Sequence, residues 1–221
     1  FLKDSICLFI ILIILLLFLI IYKIFPFSFY WQQLLIPFDS SVVQENKDTS
    51  LSSEEPPLKT TTRASLFMVG DALIHSAVYA DADTGNGYDF RPMIEEVKEI
   101  SKNYDLAFYN QETILGGSEL GLSSYPRFNS PYEVGDAFVD AGFNLVSLAN
   151  NHTLDRGEAA ILNSHQYWKQ YPDVLTAGSF SSKDEMDQPN IGEVNGIRYA
   201  FFAYTDWTNG LVAPSGKEYL L

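Results

Sequence analysis

Three short apolar runs in this chain each end on side chains that a plain surface turn would not need. "SLFMV" (65–69) runs into Gly70 and Asp71, "LAFY" (106–109) into Asn110, Gln111 and Glu112, and "NLVSLA" (144–149) into Asn150, Asn151 and His152. Runs of this length bounded by polar residues read as buried strands. A fourth apolar run, "IRYAFFAYT" (197–205), follows Asn195-Gly196, and that dipeptide predicts a hairpin with "NIGEV" (190–194) as its partner.

Helical patterns fill the intervals. Pro92 to Lys102 puts Met93, Ile94, Val97 and Ile100 on one face. In "SPYEVGDAFVDAG", Ser130, Pro131 and Glu133 can serve as N-cap, N1 and N3 of a capping box, with Gly142 as the stop. Gly157 to Lys169 carries a stripe of Ala160, Ile161, Ser164, His165 and Trp168. Strand alternating with helix predicts an α/β domain with right-handed crossovers.

In open α/β sheets, ligands bind beyond the carboxyl ends of the strands. Asp71, Glu112 and the Asn151-His152 pair therefore stand where a site would form. Carboxylate, amide and imidazole together are donors suited to Mn, Mg, Zn or Fe. Each has a plainer reading as well. Asp71 fits a turn or N-cap, Glu112 an exposed strand end, and Asp155 the N-cap of the next helix. Alternatively Asp155 hydrogen-bonds the His152 imidazole and fixes its tautomer, leaving His152 to donate a proton to a leaving oxygen. His75 is either a partner of the site or an ordinary half-buried histidine. His165, on the helix stripe, reads as core. A carboxylate pair without metal, Asp71 with Glu112, is the glycosidase alternative and needs the two groups about 5–9.5 Å apart.

Outside this region, Ile6 to Ile21 is an unbroken apolar run, "ICLFIILIILLLFLII". As a helix it rises about 24 Å, and its flanks bring it close to the ~30 Å hydrocarbon core. The aromatic-rich "YKIFPFSFYW" follows where a cleavage site would stand, which predicts an uncleaved single-pass anchor over residues 1–31; charge does not decide its orientation, and the domain behind it is expected to be extracytoplasmic. Residues 32–63 end in the Ser-, Thr- and Glu-rich stretch 39–63 and read as a flexible linker, so the folded domain is expected over 64–221. A formal net charge of -14 argues against nucleic acid as a partner. The chain starts at Phe1 and ends in "SGKEYLL", and is expected to be a segment of a longer protein.

The segments "MVGDALIHSAVYADA" (68–82), "FYNQET" (108–113), "FNSPYEVGDAFVDAGFNLVSLANNHTLDRG" (128–157) and "GIRYAFFAYT" (196–205) resemble the CapA/PgsA family of bacterial capsule proteins. The resemblance implies a role in poly-γ-glutamate or capsule synthesis, export or anchoring. It also implies a layered α/β domain like the calcineurin-type metallophosphoesterases, incomplete at its C-terminal end here. By the same resemblance Asp71, Glu112 and Asn151 would hold metal, as two divalent ions, and His152 would face the scissile group. The implied partners are the membrane, an envelope or capsule polymer, and other capsule synthase subunits. A non-catalytic polymer-binding or scaffold role is the alternative.

Overall fold

The computed structural model describes residues 61–221. The expected anchor and nearly all of the linker lie outside the described residues. Among the described residues no helix is long and apolar enough to cross a membrane.

A parallel sheet organises the domain, as the strand-helix alternation predicts. Its strands are β1 (Leu66–Asp71), β2 (Leu106–Asn110), β3 (Leu145–Ser147) and β4 (Leu175–Ala177), paired in that order. The interleaved helices are α1 (Ser76–Asp81), α2 (Arg91–Ser101), α3 (Glu133–Asp140) and α4 (Gly157–Trp168), followed by the short α5 (Lys183–Met186). An antiparallel hairpin, β5 (Ile191–Val194) and β6 (Ile197–Ala200), forms the second sheet. Its turn is the expected Asn195-Gly196, both at positive φ.

Period-two burial shows which face of the parallel sheet is packed. Ala107 and Tyr109 on β2 are buried, and Phe67 and Val69 on β1 pack on the same core. Tyr109 stacks on Phe138 of α3 at 4.0 Å between ring centroids and meets Phe143 edge-on at 5.5 Å. The alternate residues Leu66 and Met68 stay exposed, while Phe108 meets Phe201 edge-on at 6.0 Å. A smaller cluster of Ile114, Leu154, Ala160, Ile161 and Leu220 seats the start of α4.

Local departures from the sequence reading have identifiable causes. Of the four apolar residues of α2, only Ile94 and Val97 pack inward, whereas Met93 and Ile100 are exposed, because a single neighbouring layer covers a narrow stripe of this helix. The capping box is not formed. Ser130 is fully buried and donates its hydroxyl to Thr113 Oγ1 at 2.7 Å, and helix α3 starts later, after Tyr132. Gly142 does end α3, with φ 88 and its N–H donating to the Val139 carbonyl. All five stripe residues of α4 are buried.

The register fixes where function can sit. Asp71 pairs with Asn110, Asn110 with Ser147, and Ser147 with Ala177, so four strand ends stand in one row. Pairing continues just beyond it: Ala72 N–H donates to the Asn110 carbonyl at 2.8 Å, Gln111 N–H to Ser147 at 3.0 Å, and Leu148 N–H to Ala177 at 2.8 Å. Whatever follows these residues emerges on the same edge.

Candidate functional site

On that edge, Asp71 occupies the last position of β1 and accepts a hydrogen bond on Oδ1 from the Asn110 amide at 2.8 Å. Glu112, two residues past β2, lies within the influence of the Asp71 carboxylate. Burial raises the Glu112 pKa above the usual carboxylate range, and the Asp71 charge raises it further. The nearby His152 and His75 imidazoles oppose that rise.

His152 is buried, and its Nε2 stands 4.0 Å from Glu112 Oε1. Its other nitrogen, Nδ1, lies 2.7 Å from Asp155 Oδ2. The same Asp155 oxygen accepts the Phe128 backbone N–H at 2.7 Å. Asp155 therefore does not cap helix α4; Arg156 occupies the N-cap position and makes no side-chain capping bond. A carboxylate accepting from Nδ1–H fixes the imidazole with Nε2 turned to Glu112.

The loop that holds His152 is built by its neighbours. Asn150 donates Nδ2 to the Gln111 carbonyl at 3.0 Å and accepts the His152 N–H on Oδ1 at 2.9 Å. It thereby ties the end of β2 to the turn after β3. Thr153 Oγ1 donates to the Leu148 carbonyl at 2.7 Å and accepts from Asn150 N–H at 3.0 Å. Asn150 and Thr153 are thus spent on the backbone, whereas Asn151 is only half-buried and keeps its amide oxygen free of hydrogen bonds among the described residues.

Phe128 sits between the two imidazoles, edge-on to His152 at 4.7 Å and to His75 at 5.0 Å. His75 Nδ1 is 3.3 Å from Ser124 Oγ, on the same loop as Phe128. Arg156 holds that loop by donating to the Leu120 and Gly121 carbonyls and to Ser123 Oγ, at 2.6–3.0 Å. Phe128 and Asn209 are the site neighbours that the sequence did not single out. An Asn-Gly dipeptide at 209–210 signals a turn but not what the turn approaches. His165 lies apart in α4, buried, with Nδ1 3.4 Å from Glu185 Oε1.

A family model described as bacterial capsule synthesis protein, PGA_cap, matches residues 65–219. The chain belongs to the PGA_cap family. No curated protein matches the chain. The family match takes in every strand and helix from β1 to β6, so each site residue named above belongs to the PGA_cap domain.

The donor set of this PGA_cap domain suits a hard or borderline divalent cation in kind: two adjoining carboxylates, an imidazole nitrogen and a free amide oxygen. Like charges crowded together, as at Asp71 and Glu112, are relieved by a cation between them. Among the described residues, however, no three Asp, Glu, His or Cys side chains meet closely enough to enclose an ion without the amide.

Proposed function

We propose that this PGA_cap protein is a membrane-anchored component of capsule or poly-γ-glutamate biosynthesis or export, with a metallophosphoesterase-like extracytoplasmic domain. In this reading Asp71, Glu112 and Asn151 hold divalent metal, and His152 with Asp155 carries the proton chemistry. The observation that carries it is the gathering of Asp71, Glu112 and the Asp155-bound His152 at one edge from the ends of three adjacent parallel strands.

The bound metal would supply Lewis-acid activation of water and charge neutralisation at the reacting group. The chain's own contribution starts with Asp155, which holds Nδ1–H and fixes the orientation of the His152 ring. His152 then presents Nε2–H to a leaving oxygen on the Glu112 side. Phe128 shields the ring and excludes water from one flank. Family membership supports the capsule part of this reading.

A second reading, a non-catalytic polymer-binding or scaffold subunit, is favoured by the absence of a closed acidic and imidazole cluster among the described residues. Mn²⁺ titration of the purified 221-residue chain by calorimetry separates the two. The hydrolase reading expects saturable binding that Asp71→Ala and Asn151→Ala each abolish. Binding unaffected by both changes, or no binding at all, would leave only the scaffold reading.

A further inference from the structure

Asn209 makes contacts that its own turn does not require. It stands in the turn Thr208–Leu211, closed by Leu211 N–H donating to the Thr208 carbonyl at 2.9 Å. Asn209 has φ 52 and Gly210 has φ 77. Positive φ is a conformation that Asn tolerates better than most residues and Gly adopts freely. The turn thus explains the backbone but not the side chain.

That side chain reaches 58 residues back along the chain to Asn151. Its Nδ2 donates to the Asn151 carbonyl at 2.9 Å, and its Oδ1 accepts from Asn151 Nδ2 at 3.4 Å. Nδ2 also lies 3.3 Å from His152 Nδ1. The proton on that ring nitrogen is engaged by the Asp155 carboxylate at 2.7 Å, and a protonated ring nitrogen cannot accept. The Asn209 amide is therefore committed to Asn151.

The consequence falls on the Asn151 amide, whose two ends differ chemically: the nitrogen only donates and the oxygen only accepts. With Nδ2 tied to Asn209, Oδ1 is the end left free. We propose that Asn209 is a positioning residue that sets which end of the Asn151 amide faces the Asp71–Glu112 edge, presenting the oxygen to a divalent cation; this rests on the metal-site reading above. Partners that orient metal ligands are typically worth about 10–100-fold in affinity.

The test is a double-mutant cycle read as Mn²⁺ affinity of the 221-residue chain, without any activity assay. Asn209→Gly keeps the turn, since Gly accepts φ 52 without strain, and removes only the side chain. It is expected to weaken Mn²⁺ binding about tenfold or more. In an Asn151→Asp background both side-chain ends are oxygens, so orientation no longer matters and Asn209→Gly is expected to change affinity less than about threefold. Equal losses in both backgrounds, or no loss in either, overturn the proposal.

If the unaltered chain binds no Mn²⁺, the metal reading fails separately. The clamp is then judged by NMR of the Asn151 side-chain amide in metal-free protein. Asn209→Gly is expected to shift that signal and speed its exchange with water. An unchanged signal rejects Asn209 as the residue that orients Asn151.

Discussion

Asp155 Oδ2 lies 2.7 Å from His152 Nδ1 and 2.7 Å from the Phe128 backbone nitrogen. One buried carboxylate oxygen thus fixes both the site imidazole and the loop that shields it. Its second oxygen, Oδ1, is buried with no hydrogen-bond partner among the described residues. The arrangement favours the orientation of His152 over full satisfaction of the carboxylate.

Replacing that carboxylate should therefore act on stability and on the ring at once. Asp155→Ala strands a buried N–H and a buried imidazole N–H, each worth about 1–3 kcal/mol. A loss of about 2–4 kcal/mol in urea unfolding is expected, with no change in the slope of the transition. Unaltered stability would show that the two contacts are not made in solution.

The adjacent asparagines should respond in opposite ways. Asn150 bridges the Gln111 carbonyl and the His152 N–H, so Asn150→Ala leaves two buried backbone groups unpaired. It is expected to cost about 2–3 kcal/mol in chemical denaturation. Asn151 is half-buried and holds only Asn209 at long distance, so Asn151→Ala should cost less than about 1 kcal/mol while removing Mn²⁺ binding. A reversed pattern would exchange the structural and ligand roles assigned to the pair.

Much of this site was legible because strand ends announce themselves. Apolar runs stopping at Asp71, Asn110 and Asn150 mark the sheet edge, and parallel order aligns the ends. Strand β4 was not legible: Leu175–Ala177 is three residues long and paired on one side only, so it needs no apolar run of its own. Ser130 has the sequence of an N-cap, yet its burial beside Thr113 gives the hydroxyl a tertiary partner instead. Asn209 was hidden for a similar reason. Its partner is 58 residues away, and no local pattern encodes a contact at that range.

The acidic pair makes the site sensitive to pH in a definite direction. Burial and then the Asp71 charge hold the Glu112 pKa above the usual carboxylate range. A raised acid favours the folded state while it is protonated, so its contribution is present at low pH and is lost as pH rises through the folded value. In metal-free protein Glu112→Gln should then raise Tm at neutral pH relative to the unaltered chain, and the gain should vanish near pH 4. Added Mn²⁺ should raise Tm of the unaltered chain but not of this variant. A variant that melts lower at pH 7 would contradict the crowding of Glu112 by Asp71.

Glu185 runs the other way. The hydrogen bond from His165, helped by Ser181, brings its pKa down to about 2 against the opposing effect of burial. Ser181 contacts it through both its N–H at 2.8 Å and its hydroxyl at 2.5 Å. A depressed acid contributes stability above its unfolded pKa, and that stability is lost as pH falls from the usual carboxylate range through about 2. Glu185 is well exposed, so solvent screens the interaction and only a modest effect is expected. Glu185→Gln should lower Tm slightly at pH 7 and flatten its fall between about pH 4.5 and 2, the span between the ordinary and depressed values. Thermal unfolding monitored by circular dichroism across that span measures both effects. Parallel acid profiles for the two proteins would mean that His165 and Glu185 do not pair in solution.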